Sequence, residues 1–375
     1  PLVVVPARPQ DAETAAWRAH LEAAHPPVPI RAFPDTTLVR EVTQAPLLER
    51  LYPQLRTGAM TWHPQLGFRR PSNLDERYRW PEHQGGDWAL ATNRAGWRHR
   101  GELEPGRPLL AVAGDSHAEG ACAQERTFAG LLHAELAEPD IEGGLDVLNA
   151  AVGGHSFHQY LGVLEALCGD VPGELVDPDR AVDLEALVVT IYGGNDLNEV
   201  LRLAHWLAGT ERPVGWGRDN ERLAPWRKTH LPAIAQAVES AVYFRNNPTE
   251  ADRALAEALA VCEELQRHAE RRGIRLLFLY LPSALEVERL RHGEHFEALL
   301  VDLELTDDQL AEVHGLGDRL LEGLASRGAE FLDLRPRFRA SPVQLFWSRD
   351  LHLGVDGHTL VAQAVLDWYR GADDE

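Results

Sequence analysis

From about residue 107 onward, short continuous apolar runs alternate with stretches whose apolar residues recur at helical spacing. The runs are PLLAVA (108–113), LDVLNA (145–150), ALVVTIY (186–192), IRLLFLYL (274–281) and AEFLDL (329–334). Each has strand length, and the alternation with helical patterns is the signature of βαβ units in a parallel sheet. Two intervening helices are punctuated clearly. Thr249 with Asp252 reads as a capping-box variant ahead of the stripe Leu255, Leu259, Cys262 and Leu265, and Gly273 stops that helix before the fourth run. Thr306 with Gln309 opens a second helix carrying Leu310, Val313, Leu320, Leu321 and Leu324, and Gly328 closes it. After Gly354, Leu360, Val361, Ala364, Val365 and Trp368 share one face of a last helix. The pattern predicts one α/β domain over 107–372.

Residues 1–106 lack this regularity. They are proline-rich, with broken runs and clustered aromatics (Trp62, Phe68, Tyr78, Trp80, Trp88, Trp97), and the expectation is a small irregular or β-rich appendage. A second irregular piece, 206–230, carries Trp206, Trp216 and Trp226. Its length makes it a candidate lid, or equally a surface insertion packed by its tryptophans.

Composition narrows the partners. With 58 acidic and 37 basic residues in 375, the formal charge is −21. That disfavours nucleic acid and anionic membrane as partners. Cys122, Cys168 and Cys262 are scattered and show neither disulfide-framework nor zinc spacing, so no cofactor or metal is expected. No segment reaches the roughly 18 uninterrupted apolar residues of a membrane span. PLVVVPARPQ at the start has no charged region and no cleavage pattern. The expectation is a soluble, cytoplasmic protein, although a removed signal peptide would leave the same sequence.

The chemistry lies where the runs end. GDSH (114–117), NAAVGGHS (149–156) and YGGND (192–196) follow the first three, and WSRDLHLGVDGH (347–358) precedes the last helix. In a parallel sheet these ends share one edge, so the four loops can meet in a single crevice. Acyl transfer needs four roles, and these loops can fill them. Ser116 would attack a carbonyl, His352 would take and return the proton, and Asp350 would fix the imidazole tautomer. The backbone N–H groups of Ser116 and Gly154 and the side-chain amide of Asn195 would receive the oxyanion. Asp196 reads as a brace for its loop, and His158 and His358 as packing or solvated residues. Singly, GDS and GGND are most often turns, because Gly, Asn and Asp dominate turns.

Together and in this order, Ser116 in GDS, Gly154 after NAAVG, Asn195 in GGND and His352 with a nearby Asp resemble the SGNH (GDSL) hydrolase family, over about 107–372. TNRAGWR (92–98) resembles a stretch preceding the first strand in larger bacterial members with an N-terminal extension. The resemblance implies a flavodoxin-like three-layer sandwich with a five-stranded parallel sheet. It also implies a metal-independent serine esterase acting on a small-molecule or glycan acyl ester, or an acyltransferase using the same residues. One feature departs from the family's last block, where Asp stands three residues before His: Arg349 occupies that place and Asp350 lies two before. His117 after the serine is similar to members that act on acylated glycans or transfer acyl groups.

Three other readings are weaker. GDSHA approximates the G-x-S-x-G elbow of α/β-hydrolases but lacks its last glycine. GDSH, GGND and DLH loosely resemble metallophosphoesterase ligand clusters, yet Asp-x-His comes last rather than on the first strand. A non-enzymatic binder of acylated ligands would have lost a role, and here every role is filled.

Overall fold

The computed structural model describes residues 3–6, 37–40, 55, 59–63, 66–79, 87–99, 101–103, 106–137, 144–169, 182–208, 210, 212–213, 221–226, 232–288 and 293–371. Its centre is a five-stranded sheet of β1 (Pro108–Ala113), β2 (Asp146–Asn149), β3 (Asp183–Tyr192), β4 (Arg275–Leu281) and β5 (Phe331–Asp333). The strands lie in the order β5-β4-β3-β1-β2, and every pairing is parallel. This is the flavodoxin-like order, whose crevice opens at the carboxyl ends of β1 and β3 where the winding reverses.

Strand alternation sends neighbouring residues to opposite faces, which builds a core on each side of the sheet. Leu110 and Val112 of β1 face a core completed by α2 (Phe128–Leu136), α5 (Pro232–Asn246), α7 (Gly293–Leu303) and α9 (Val355–Arg370). Leu109, Ala111 and Ala113 face the other, completed by α3 (Phe157–Leu167), α4 (Asp196–Ala208), α6 (Pro248–Arg272) and α8 (Asp307–Ala325). The result is the three-layer α/β sandwich expected from the sequence.

Three details differ from the sequence pattern or refine it. β3 begins at Asp183 rather than 186, and a register shift between Leu109 and Leu110 leaves Glu185 outside the ladder. Glu185 instead accepts a hydrogen bond from Tyr369 Oη at 2.6 Å. Helix α6 starts at Pro248 with Asn247 in the cap position, so Thr249 and Asp252 sit inside its first turns and form no capping box. Proline suits the first helical position because its missing N–H would have no helical partner there. The Thr306–Gln309 box and the left-handed Gly273 cap do form.

Ahead of the sheet, the described residues form three antiparallel pairs: Val3–Pro6 with Thr37–Arg40, Thr61–His63 with Gly67–Arg69, and Asp75–Arg79 with Asp87–Ala91. Tyr78 stacks on Trp88 at 4.6 Å, and Phe68 and Trp97 are buried; Trp80 lies outside the described residues. In the 206–230 segment, Trp216 and the side chain of Trp206 also lie outside them. Trp226 donates to Asp302 Oδ2 at 3.1 Å and packs against the core on the α7 side.

Candidate active site

The first loop is shaped by close contact between strand and helix. A Cβ at Gly114 would stand 2.5 Å from Ala118 Cβ, so only glycine lets the chain turn here into the short helix α1 (Ser116–Glu119). Asp115 caps it, with Oδ1 accepting from His117 N at 2.8 Å. Ser116 is thereby placed just past the carboxyl end of β1, partly exposed.

The second loop packs directly against this turn. A Cβ on Gly153 would lie 3.3 Å from Ser116 Cβ, and Gly154 adopts φ +86°, a conformation that favours glycine. The two glycines differ in one respect that bears on their roles. Gly153 N donates to Glu119 Oε2 at 3.0 Å, whereas Gly154 N–H has no acceptor among the described residues.

Glu119 is buried and holds a bidentate pair with Arg70, at 2.7 and 2.8 Å. Burial alone would raise this carboxyl, but the Arg70 guanidinium outweighs it and holds the group below the usual carboxylate range. The fully buried Arg98, in TNRAGWR, donates to the backbone carbonyls of Glu119, Gly120 and Cys122. Two arginines from before the sheet therefore clamp the turn that carries Ser116.

In the third loop, Asn195 precedes α4, and its carbonyl accepts from Asn198 N and Glu199 N. Its side chain makes no hydrogen bond among the described residues, and its Oδ1 is buried. Asp196 braces the loop from beneath, accepting from Tyr160 Oη at 2.7 Å and Tyr192 N at 2.9 Å. Burial, reinforced by the nearby Asp115 carboxyl, pushes Asp196 well above the usual carboxylate range. Burial also raises Asp115, to about 6.

The fourth loop brings the histidine. A bridge between Phe346 and Leu353 and a bond from Gly354 N to Leu345 O (2.7 Å) pin the chain ahead of α9. Asp350 Oδ1 lies 2.5 Å from His352 Nδ1 and also accepts His352 N at 3.0 Å. A carboxylate only accepts, so Nδ1 carries the proton and Nε2 presents its lone pair. The two-residue spacing suffices for this pairing. The His352 ring stands 5.2 Å from that of His117, the residue that follows Ser116. Ser116 Oγ and His352 Nε2 are not hydrogen-bonded to each other, as is common before substrate tightens such a pair.

His117 has a separate, packing role. It is fully buried, stacks on Tyr192 at 3.6 Å and meets Gln236 Oε1 at 3.2 Å, and burial drives its pKa well below that of free imidazole. His358 is buried too, accepting Phe128 N at 3.3 Å, and His158 pairs with Glu257 at 3.1 Å. Sequence spacing did not reveal Arg70, Glu119 or Gln236. Only the quoted TNRAGWR stretch signalled Arg98.

No family model matches the chain, and no curated protein matches it. Solved structures do show similarity. Axe2, an acetylxylan esterase from Geobacillus stearothermophilus, is 17% identical, with 70% of this chain and 94% of that chain covered at a TM-score of 0.37. The acetyl xylan esterase AlAXEase is 13% identical over 69% and 98%, with a TM-score of 0.39. LAE5, an α/β hydrolase from the metagenome of Lake Arreo, Spain, is 15% identical over 70% and 95%, at 0.36. At such scores these likenesses add nothing to what the chain's own residues say.

Proposed function

We propose that the protein is a serine acyl hydrolase that cleaves a carboxylic ester through an acyl-enzyme on Ser116. The observation that carries this reading is the Asp350–His352 pair, which leaves Nε2 basic beside the Ser116 turn. The ordered blocks that resemble the SGNH family support it, as do three donors left without acceptors among the described residues: Ser116 N–H, Gly154 N–H and the Asn195 amide.

In the reaction, Ser116 Oγ bonds to the ester carbonyl carbon as His352 Nε2 takes its proton, and the carbonyl electron pair moves onto oxygen. The three donors would receive that oxyanion. On collapse, the C–O bond to the alcohol breaks and His352 returns the proton to the leaving oxygen. Water, deprotonated by the same imidazole, then bonds to the acyl carbon, the bond to Ser116 Oγ breaks, and His352 returns the proton to Oγ as the acid leaves. An alcohol or sugar hydroxyl in place of water would make the same residues an acyltransferase.

A fluorophosphonate probe tests the reading. Its tetrahedral adduct needs the same nucleophile, base and donors, so one label per chain at Ser116 is expected, with ester turnover lost in parallel. Folded protein that takes no label would overturn the proposal. Product formed only after an alcohol acceptor is added would select transfer over hydrolysis. Asn195→Ala should lower kcat about 10²–10³-fold with little change in KM, the usual effect of deleting one oxyanion donor. A change confined to KM would make Asn195 a substrate-binding residue instead.

A further inference from the structure

Far from the Ser116 loops, three segments bring a different set of groups together. His99 lies just before β1, His133 in the last turn of α2 and Asp146 at the amino end of the edge strand β2. One ligand atom from each lies within 4.8 Å of the other two. We infer that His99, His133 and Asp146 form a binding site for Zn²⁺ or a similar first-row divalent ion, holding the segment before the sheet against α2 and β2.

The chemistry fits in four respects. Two imidazoles and one carboxylate are the ligand types that zinc takes, with a fourth position left for water. His133 Nδ1 stands 3.5 Å from Asp146 Oδ1, close to the ~3.4 Å edge of a tetrahedron built with zinc–ligand bonds of about 2.0–2.1 Å. His99 Nδ1 meets Gly101 O at 3.1 Å; a carbonyl only accepts, so Nδ1 bears the proton and Nε2 keeps its lone pair. A backbone carbonyl on the far nitrogen is a common way to orient a metal-binding histidine. Finally, both histidines line a cavity of about 200 Å³ shared with Gln124 and Glu125, which gives an ion a route in and room for its water. The remaining closure, from 4.8 Å toward a bonding tetrahedron, falls to side chains able to move: the His133 side chain is 41% exposed, while Asp146 is buried and fixed by β2.

The site sits at the amino end of β2, whereas the proposed nucleophile follows the carboxyl end of β1. The ion is therefore expected to stabilise the fold and to leave ester turnover unchanged. Calorimetric titration of chelator-stripped, tag-free protein with ZnCl₂ at about pH 7.5, where imidazole is neutral, should show one ion per chain. His99→Gln and His133→Gln should each weaken binding at least tenfold, and because both side chains reach the solvent-accessible cavity, the variants should keep the wild-type circular dichroism. Co²⁺ should give the visible bands of a tetrahedral site in wild type only. At about 100 times the dissociation constant, Zn²⁺ should raise Tm by roughly 5 °C. Absence of one-to-one binding, or affinity unchanged in both variants, would overturn the inference. Turnover lost on stripping and restored by Zn²⁺ would sustain metal binding and overturn the metal-independent serine mechanism instead.

Discussion

Ser116→Ala should reduce ester turnover by at least about 10⁴-fold while leaving Tm within about 2 °C of wild type. The size of the loss follows from removing the group that bonds to the substrate: what remains is binding and oxyanion stabilisation, which in serine hydrolases leave only a residual rate. The small effect on stability follows from the structure. The Ser116 side chain makes no hydrogen bond among the described residues and is only partly buried, and the cap from Asp115 Oδ1 to His117 N does not involve it. Alanine is also the best helix former for the first position of α1. Activity within tenfold of wild type in a folded variant would remove Ser116 from the chemistry.

Acidification should destabilise the protein, with stability falling as the pH drops below about 6.5. Burial is the leading cause that pushes His63 and His358 down to about 3 and His155 to about 4, and it drives His117 well below the ordinary value. In the unfolded chain each takes up a proton near the ordinary imidazole value of 6.5. The sign is therefore fixed: these groups stabilise the fold fully above pH 6.5, and their contribution is lost as pH falls toward 3–4. Well below pH 6.5, each group held that low removes at most about 1.4 kcal/mol of stability per pH unit. Asp115, raised to about 6, works in the opposite sense; it favours the fold as pH drops through that value, and Asp196 and Glu286, raised by burial, act in the same direction. Four imidazoles against three carboxyls leave a net loss of stability on acidification, smaller than the imidazoles alone would give. Urea unfolding at a series of pH values should show stability falling between pH 6.5 and 5 by about 1–2 kcal/mol per pH unit. Stability that is flat or rises on acidification would contradict this balance of imidazoles over carboxyls.

The sheet was legible because its strands are buried on both faces and therefore appear as unbroken apolar runs. Four of them begin within two residues of the runs that predict them. β3 begins earlier than the apolar run because Asp183 and Glu185 break the run around Leu184 and lie at a bulge, where periodicity carries no signal. The proposed site residues were legible for the complementary reason: Ser116, Gly154, Asn195 and His352 interrupt the apolar pattern where a core strand has just ended or a helix is about to begin. The Asn247–Pro248 start of α6 was available in the sequence, but Thr249 and Asp252 imitate a capping box one step further on. What stayed hidden were pairings between distant segments. Nothing in spacing joins Arg70 to Glu119, or His99 to His133 and Asp146, because each partner is individually an ordinary surface-type residue and only the tertiary fold supplies the match.

The Arg70–Glu119 pair has a practical consequence for anyone who would cut this chain. Composition changes near residue 107, which invites trimming there to isolate the sheet and its helices. Such a fragment would keep Glu119 buried against Gly153 but lose both guanidiniums that answer its charge and support its turn. Stranding one member of a buried ion pair costs about 3–5 kcal/mol. The penalty would fall on the turn holding Ser116, so the excised piece could retain every proposed catalytic residue and still present them in the wrong arrangement. The smallest unit worth expressing therefore begins upstream of Arg70.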